Sequence, residues 1–393
     1  MNPHPLRVLF DARMASWGGV GRYTTGLLGG LARVADPREL TLVALRLPED
    51  RDRFPASLRT GVRWVGCARN PWFPAGIAEL TRAARSCKAH LIHLPHISPF
   101  PPAFRGRRIG TLHDLKPLHH HVSMPSPIRR TAYKTLVRLF VAQADCLIFG
   151  SRAAAVEALK ADLRVNRFAV IPHGTDTRFA PQPDREQRDA CRQAGVPLLS
   201  IMATGPFRPH KNLEVLVQAY ALLPKEMRSR VPLVMLGNCS SPYGRQLRSL
   251  ARRLLPSSGP GVVFFPGFVS EEALPSVLAS ARVFVFPSLA EGFGLPALEA
   301  WRCGVPVIAS STTPVGEFLG PCASYFDPGS PRELAGLLQQ HLEVDQVGEF
   351  SRGGNDKRTG ATANRARERS WDDVARDTIQ LYRACHRPSV DDD

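Results

Sequence analysis

Short runs of β-branched and other apolar residues alternate with longer amphipathic segments along the whole chain. This alternation is typical of a parallel β-sheet with helices on its faces. The strands predicted in the first half are 7–10, 40–45, 91–94, 108–112, 146–149 and 168–171. Those predicted in the second half are 198–202, 231–236, 262–265, 283–286 and 305–309. Both halves of the chain are therefore predicted to be α/β.

Helices are predicted between these strands from apolar positions at helical spacing. The first runs over 23–34, with Leu27, Leu28 and Leu31 on one face, and follows a predicted loop at 18–21. A final helix begins after Ser370, a residue type that often caps a first helical turn. Its predicted apolar stripe consists of Trp371, Val374, Ala375, Thr378, Leu381 and Tyr382.

Two domains are expected, because 393 residues exceed what one hydrophobic core usually covers. The sequence becomes polar over 181–196, which predicts a linker between a domain at 1–180 and a second domain at 197–345. A loose connection is predicted at 346–369, a C-terminal helix at 370–387 and a disordered tail at 388–393.

The composition is that of a soluble globular protein, with 44% hydrophobic and 22% charged residues. Eight cysteines are scattered singly, which favours reduced, mostly buried thiols over a disulfide framework. The first apolar run, 7–10, is too short for a signal peptide, and no run approaches the roughly 20 residues of a spanning helix. We therefore expect a cytoplasmic protein.

The formal net charge of +16 predicts an anionic partner: nucleic acid, an acidic membrane or a phosphorylated substrate. Segment 128–140 mixes basic and apolar residues at helical spacing, as interfacial helices do, although a half-buried surface helix has the same pattern. Its basic residues are Arg129, Arg130, Lys134 and Arg138, and its apolar residues are Ile128, Tyr133, Leu136, Val137, Leu139 and Phe140.

The densest candidate site is segment 286–300, a buried strand followed by a glycine-containing turn and a helix. Gly292 and Gly294 would let the backbone approach a ligand, and Pro296 suits a first helical turn. The positive helix end suits a diphosphate, while Glu291 and Glu299 can accept hydrogen bonds from hydroxyls. The pattern favours a ligand made of sugar, diphosphate and ribose, and its structural alternative is a capping glutamate beside a tight turn.

Two further histidine-containing segments and a glycine-rich turn carry weaker signals. His113 follows a predicted strand and could equally be a satisfied core histidine. Adjacent His119, His120 and His121 have no clustered Asp, Glu or Cys partners, so they indicate a polar loop, and no metal site is predicted. The loop at 18–21, which contains Gly19, could meet a phosphate or an acceptor.

The chain resembles glycosyltransferase family 4, the retaining enzymes of GT-B fold, whose signature is two glutamates separated by seven residues, as Glu291 and Glu299 are. Its motifs are most similar to bacterial mannosyltransferase-type group 1 glycosyltransferases. The resemblance implies two Rossmann-like domains facing a central cleft, with the C-terminal helix returning to the first domain. The matching segments are 18–23, 112–115, 151, 170–176, 205–212, 267–269 and 303–310.

The resemblance also implies roles for individual residues. Glu299 would bind the donor ribose, and Glu291 would lie against the donor sugar. Lys211 would contact the diphosphate, neutralising the leaving group. His113 would lie near the donor sugar. The other implied donor-binding residues are Gly292, Phe293, Gly294, Leu295, Gly19 and Gly267.

One departure from the family concerns the second basic residue that many members place near the lysine. Gly205 is followed by Pro206, and Lys211 is preceded by His210, so Arg208 is offset by two positions. Arg208 is therefore only a candidate for the second phosphate contact.

The resemblance implies a retaining transfer of a sugar, with mannose favoured, from a nucleotide-sugar such as GDP-mannose. The acceptor would be a saccharide or a lipid-linked saccharide in polysaccharide biosynthesis. No cofactor is expected, since the nucleotide-sugar is a substrate, and the enzyme is expected in the cytoplasm or peripherally on the inner face of the membrane. The alternatives are a basic nucleic-acid-binding protein, for which no RNA-binding motif or recognition helix is found, and a GT-B epimerase or phosphorylase.

Overall fold

The computed structural model describes residues 5–54, 58, 61–115, 126–161, 163–255, 261–343 and 369–386. The chain divides into two compact units. The first unit comprises Met1–Asp176 and Arg369–Asp393, and the second unit is Thr177–Glu368.

The first unit is built on a parallel sheet. Its strands are β1 Leu6–Asp11, β2 Leu40–Arg46, β3 Arg63–Gly66, β4 Leu91–Leu94, β5 Arg107–Thr111, β6 Cys146–Phe149 and β7 Phe168–Val170. Within the described residues, they form a seven-stranded sheet in the order β3-β2-β1-β4-β5-β6-β7. The order reverses between β1 and β4, where Phe10 pairs with His93. In open α/β sheets, ligands bind at the carboxyl ends of strands beside such a reversal.

Helices cover both faces of this sheet. They are α1 Gly18–Val34, α2 Pro74–Ser86, α3 Pro127–Gln143 and α4 Arg152–Lys160, with a 3-10 helix at Pro48–Arg53. Alternate residues of β1 enter different cores: Val8 and Phe10 pack in one apolar cluster and Leu9 in another. The sheet is therefore buried on both faces, as parallel sheets usually are.

The last described helix, Trp371–His386, completes the first unit and packs against α1. Ser370 and Asp373 cap it reciprocally: the Asp373 amide donates to Ser370 Oγ at 3.3 Å, and the Ser370 amide donates to Asp373 Oδ2 at 3.0 Å. A Cβ on Gly26 would lie 2.2 Å from the Trp371 ring, so glycine is needed where the helices touch. The predicted return of the C-terminal helix to the first domain is confirmed.

The second unit contains another parallel sheet. Its strands are β8 Ile201–Thr204, β9 Leu233–Leu236, β10 Val263–Gly267, β11 Val283–Phe286, β12 Val307–Ser310 and β13 Ala323–Phe326. Among the described residues, these form a six-stranded sheet in the order β10-β9-β8-β11-β12-β13. The order reverses between β8 and β11, so this unit repeats the doubly wound plan of the first.

Helices again lie on both faces. They are α5 Asp184–Ala194, α6 Leu213–Leu222, α7 Lys225–Arg230, α8 Pro242–Leu254, α9 Leu274–Ala279, α10 Leu295–Arg302, α11 Val315–Leu319 and α12 Pro331–Glu343. Short 3-10 helices lie at Pro209–Lys211 and Gly320–Cys322. In β11, Phe284 and Phe286 pack in one apolar cluster, and Val283 and Val285 in the other. The predicted fold class, two Rossmann-like α/β domains, is confirmed.

Most predicted strands occur in the structure, and β4, β6 and β11 have the predicted bounds. The prediction was wrong at 198–200, where Leu199 has a φ of +54° and the strand begins only at Ile201. Two strands, β3 and β13, were not predicted. Both lie at a sheet edge and are partly exposed, so neither has the continuous apolar run of a central strand.

The loop predicted at 18–21 was also wrong, because α1 begins at Gly18. The turn lies earlier, at Met14–Trp17, where the Trp17 amide donates to Met14 O at 3.0 Å. A Cβ on Gly21 would lie 2.1 Å from Ala15 O. The glycine at this position therefore allows the helix to begin directly on that turn.

Helix α3 has the basic and apolar pattern that suggested an interfacial helix, but its apolar residues divide between two faces. Val137 and Phe140 are fully buried and Tyr133 is half-buried, so these three belong to the core of the first unit. Ile128 is 82% exposed and Leu139 is 49% exposed. Only the outward face therefore remains available to a partner, and no helix among the described residues is both long and apolar enough to cross a membrane.

Three sequence predictions fall on residues outside the described ranges. They are the polar loop containing His119, His120 and His121, most of the connection at 346–369, and the tail at 388–393.

Candidate functional site

The candidate site in the second unit begins where β11 ends and α10 starts. Gly294 precedes the helix with a φ of +113°, which favours glycine over any residue with a side chain. Pro296 occupies the first helical turn, where no intrahelical amide partner is needed. Phe293 stacks on Phe318 with ring centroids 4.5 Å apart, which holds the turn against the core. The turn therefore presents the positive end of α10 at the carboxyl edge of the sheet.

Lys211 and Glu291 form the central contact of this site. Lys211 Nζ lies 2.5 Å from Glu291 Oε1, and the two side chains are only 12% and 9% exposed. The ammonium group also lies 5.4 Å from the centroid of the Phe286 ring. Because the Leu289 amide donates to His210 O at 2.8 Å, the loops that carry the two charges are joined directly. The structure thus brings together two residues that are 80 positions apart in the sequence.

Three glycines lie at the carboxyl edge of the second sheet, where Lys211 also lies. Gly205, Gly237 and Gly267 follow or end β8, β9 and β10, all with positive φ. The Gly205 amide donates to Leu236 O at 3.1 Å, and the Gly237 amide donates to Gly267 O at 2.9 Å. A Cβ on Gly237 would lie 2.3 Å from Gly205 O, so the neighbouring turns pack backbone to backbone. Gly267 therefore lies at the same edge of the sheet as Lys211.

Glu299 and Arg208 are two further predicted site residues of the second unit. Helix α10 begins at Leu295, so Glu299 lies in its second turn, where it is 2% exposed. Burial and the charge of Glu299 raise the pKa of the adjacent Cys303 thiol to about 12. Arg208 precedes the 3-10 helix Pro209–Lys211 and is exposed, three positions from Lys211.

The remaining predicted residues, Gly19 and His113, belong to the first unit. Gly19 is exposed in the first turn of α1. His113 follows β5, and its Nε2 donates to Pro95 O at 2.9 Å, because a carbonyl oxygen can only accept. The ring packs edge-on against Tyr23, one turn beyond Gly19, with centroids 4.7 Å apart. These two residues therefore occupy the carboxyl edge of the first sheet.

A buried hydrogen-bonded chain behind His113 was missed by sequence reasoning. Tyr23 Oη lies 3.1 Å from Thr111 Oγ1, which lies 2.9 Å from His93 Nε2, and His93 Nδ1 lies 2.6 Å from Tyr382 Oη. Burial lowers the pKa of His93 to about 3, so its ring is neutral. Tyr23 lies within the matching segment 18–23, but its partners come from three distant segments of the chain. No spacing in the sequence relates these segments to one another.

A buried ion pair at the end of β1 was also missed by sequence reasoning. Arg13 donates from Nε to Asp11 Oδ1 at 2.8 Å and from a terminal nitrogen to Oδ2 at 2.6 Å, and both side chains are fully buried. Burial acts to raise the pKa of Asp11, but the charge and hydrogen bonds of Arg13 outweigh it and lower that pKa. Among the described residues, no group of three or more His, Cys, Asp or Glu side chains is arranged to hold a metal ion.

Comparisons with known proteins agree with this architecture. Residues 17–179 match Glycosyltransferase Family 4, and residues 199–351 match Glycosyl transferases group 1. Sucrose-phosphate synthase from Thermosynechococcus elongatus has a similar structure, with a TM-score of 0.73 at 21% identity over 96% of this chain and 98% of that one. The Anabaena Alr3699/HepE structure in complex with UDP and glucose has a TM-score of 0.71 at 20% identity over 96% and 100%.

Among curated proteins, the O-antigen chain mannosyltransferase B of Escherichia coli is 35% identical over 179 residues. That match covers 46% of this chain and 44% of the relative, so it spans less than half the length of each. With a family 4 domain followed by a group 1 domain on two Rossmann-like sheets, the chain belongs to the glycosyltransferases of GT-B fold.

Proposed function

We propose that this protein is a retaining glycosyltransferase that transfers mannose from GDP-mannose to a saccharide or lipid-linked saccharide during glycan biosynthesis. The observation that carries the proposal is the Lys211–Glu291 pair at the carboxyl edge of the second sheet, beside the start of α10. The mannose assignment is supported by the similarity to the O-antigen chain mannosyltransferase. The nucleotide-sugar is a substrate, and the proposal requires neither a cofactor nor a metal ion.

The reaction needs positive charge on the departing diphosphate. Lys211 and the amino end of α10 supply it from fixed positions, and such preorganised charge is often the largest contribution to catalysis. Glu291 binds the donor sugar, Glu299 binds the ribose, and Gly292–Leu295 line the sugar and diphosphate. The acceptor oxygen attacks the anomeric carbon on the face that the diphosphate leaves, and the diphosphate takes the acceptor proton.

A panel of nucleotides tests the donor assignment. GDP, UDP and ADP are added to the protein with excess chelator, and the Tm is measured, since a ligand that binds only the folded state raises it. GDP is expected to raise the Tm most, and Lys211→Ala is expected to abolish the shift. A larger shift with UDP would contradict the GDP-mannose assignment, and no shift with any nucleotide would contradict the donor site.

His113 belongs to the first unit and is tested separately. His113→Asn is expected to lower transfer while leaving the GDP-induced Tm shift unchanged, because Lys211 and the α10 turn lie in the second unit. Transfer at the wild-type rate would remove His113 from the catalytic residues.

We further propose that the enzyme works in the cytoplasm and associates reversibly with anionic membranes through α3. The outward face of this helix carries Ile128, Ala132 and Leu139 and is flanked by Arg129 and Arg138. Each basic residue near such a surface contributes about 1 kcal/mol to binding. Apolar insertion and charge attraction can therefore act on the same face.

Co-sedimentation with anionic and neutral vesicles at low and moderate salt tests this association. The wild type is expected to bind anionic vesicles, and more weakly as salt rises. Changing Arg129, Arg130, Lys134 and Arg138 to glutamine is expected to abolish binding. Changing the four arginines of α8, which are Arg245, Arg248, Arg252 and Arg253, to glutamine serves as a matched control. Equal binding to both lipids would contradict the proposal.

A further inference from the structure

Two tryptophans that contact each other, and a phenylalanine next to one of them in the sequence, lie exposed on the first unit. Trp17 is 48% exposed, Trp72 is 41% exposed and the adjacent Phe73 is 62% exposed. The two indole rings pack edge to face, with centroids 4.6 Å apart and planes at 87°, so they form a corner. We call Trp17, Trp72 and Phe73 the aromatic corner. Clustered exposed aromatic surface is unusual on a folded protein unless it binds something.

The aromatic corner is held rigid by hydrogen bonds. Trp72 Nε1 donates to Ile97 O at 2.8 Å, and the Trp72 amide donates to Asn70 Oδ1 at 3.1 Å. Arg13 braces the same loop at both ends, donating to Arg69 O at 3.3 Å and to Gly76 O at 2.9 Å. The rings are therefore oriented before any ligand arrives, which reduces the entropy lost on binding.

The location of the aromatic corner points to a ligand. Trp17 follows β1, Trp72 follows β3, and Ile97, which anchors Trp72, follows β4. The strand order of this sheet reverses between β1 and β4. Because open α/β sheets bind ligands at the carboxyl ends of strands beside such a reversal, the aromatic corner lies where this fold places a ligand.

Buried polar groups without hydrogen-bond partners in the described part of the chain adjoin the aromatic corner, although His96 Nε2 lies 3.9 Å from Asp11 Oδ2. His96 and Ser98 flank Ile97 and are 4% and 0% exposed. Neither ring nitrogen of His96 nor Ser98 Oγ has a hydrogen-bond partner among the described residues. Buried polar atoms without partners are rare in folded proteins and call for a ligand or an ordered water. Burial lowers the pKa of His96 to about 4, so the ring is neutral and can donate one hydrogen bond and accept another.

From these observations we infer that the aromatic corner, with the adjoining segment 96–98, binds a sugar ring of the saccharide acceptor. The apolar face of a sugar ring packs on an indole, while its hydroxyls match neutral groups that both donate and accept. The charged residues nearby, Asp11 and Arg13, neutralise each other, which suits an uncharged, hydroxyl-rich ligand. This inference rests on the proposed transferase function and assigns its acceptor to named residues.

Fluorescence quenching tests the binding directly. Of the five tryptophans, Trp17 and Trp72 are the exposed ones, so iodide reaches them first. An α-linked mannotriose is expected to protect the wild type from iodide and to give no protection in Trp72→Ala. Equal protection in both proteins, or none in the wild type, would overturn the inference.

Kinetics with matched variants separates ligand contact from structural support. Trp72→Ala is expected to raise the acceptor KM at least about tenfold, with kcat and the donor KM within about twofold. Trp72→Phe keeps an aromatic face but loses the bond to Ile97 O, and its acceptor KM is expected to stay within about threefold of the wild type. An acceptor KM in Trp72→Phe as high as in Trp72→Ala would show a structural role and overturn the inference.

Phe168→Ala is the control. Phe168 is 46% exposed on β7, at the opposite edge of the same sheet from β3, and its change is expected to leave the acceptor KM unaltered. An equal rise in this variant would overturn the inference. Failure of the acceptor site is distinguishable from failure of the proposed function. If only the acceptor site fails, GDP still raises the Tm through Lys211 but mannotriose gives no protection. If the proposed function fails, no nucleotide raises the Tm.

Discussion

Replacing Glu291 by glutamine is expected to tighten the binding of GDP while it slows transfer. In the structure Lys211 Nζ is already paired with Glu291 Oε1 at 2.5 Å, so a diphosphate must compete with this carboxylate for the ammonium group. Glu291→Gln removes the competing charge and keeps the shape of the side chain. It also removes the charge proposed to lie against the donor sugar, which is why turnover should fall.

The size of the effect follows from burial. Exposed ion pairs contribute about 0.2–1 kcal/mol, whereas removing one partner of a buried pair costs about 3–5 kcal/mol. With side chains 12% and 9% exposed, the Lys211–Glu291 pair is close to the buried limit, so we expect a coupling free energy of about 2–3 kcal/mol. In the wild type, GDP binding has to disrupt this pair. If the disruption costs about half of the coupling free energy, Glu291→Gln binds GDP about tenfold more tightly, since tenfold corresponds to about 1.4 kcal/mol.

Two measurements check this reasoning. Urea denaturation of the wild type, Lys211→Met, Glu291→Gln and the double variant gives the coupling free energy from a double-mutant cycle. Calorimetric titration with GDP gives the affinity of the wild type and of Glu291→Gln. The control pair is Arg178–Glu271 in the same unit, 2.7 Å apart but 36% and 60% exposed, for which coupling below about 1 kcal/mol is expected. Unchanged or weaker GDP binding in Glu291→Gln would refute the competition between carboxylate and diphosphate.

Four further outcomes are expected. Glu299→Ala should lower transfer at least about 100-fold in a protein with wild-type circular dichroism, and turnover near the wild-type rate would refute its role. Transfer should continue in excess chelator, so loss that Mg²⁺ or Mn²⁺ restores would contradict the metal-free mechanism. Tyr382→Phe should lower the free energy of unfolding by about 1–2 kcal/mol in urea, because His93 loses a buried partner. Asp11→Asn should lower it by about 3–5 kcal/mol, because the buried Arg13 charge then has no opposite charge beside it.

The effect of Asp11→Asn on the free energy of unfolding should depend on pH. The folded-state pKa of Asp11 is lowered, so its stabilising contribution is present above the unfolded pKa of about 3.9 and is lost as the pH falls through the lower folded value. The difference in unfolding free energy between wild type and Asp11→Asn should therefore be constant near neutral pH and shrink below about pH 4. A difference that stays the same at low pH would contradict the lowered pKa.

Elements buried on both sheet faces could be predicted from the sequence. The strands β4, β6 and β11 have the predicted bounds, because each is a short run of apolar residues, interrupted in β4 only by His93, and such a run has few other places in a folded chain. The edge strands β3 and β13 lack this signal, and the start of α1 was placed too late because its glycines suggested a loop. At the edge strands, pairing with a neighbouring strand decides the structure, and at α1 the close contact of Gly21 with the preceding turn does.

The sequence by itself determined the α/β class of both halves, the glycine turn before α10 and the two glutamates around it, because each depends on residues close together in the chain. Only the tertiary structure decided which groups meet across long separations. It joined Lys211 to Glu291, Tyr382 to His93, and Trp17 to Trp72. The physical reason is that strand order in a parallel sheet is set by crossover packing, and that order determines which strand ends, and hence which side chains, become neighbours.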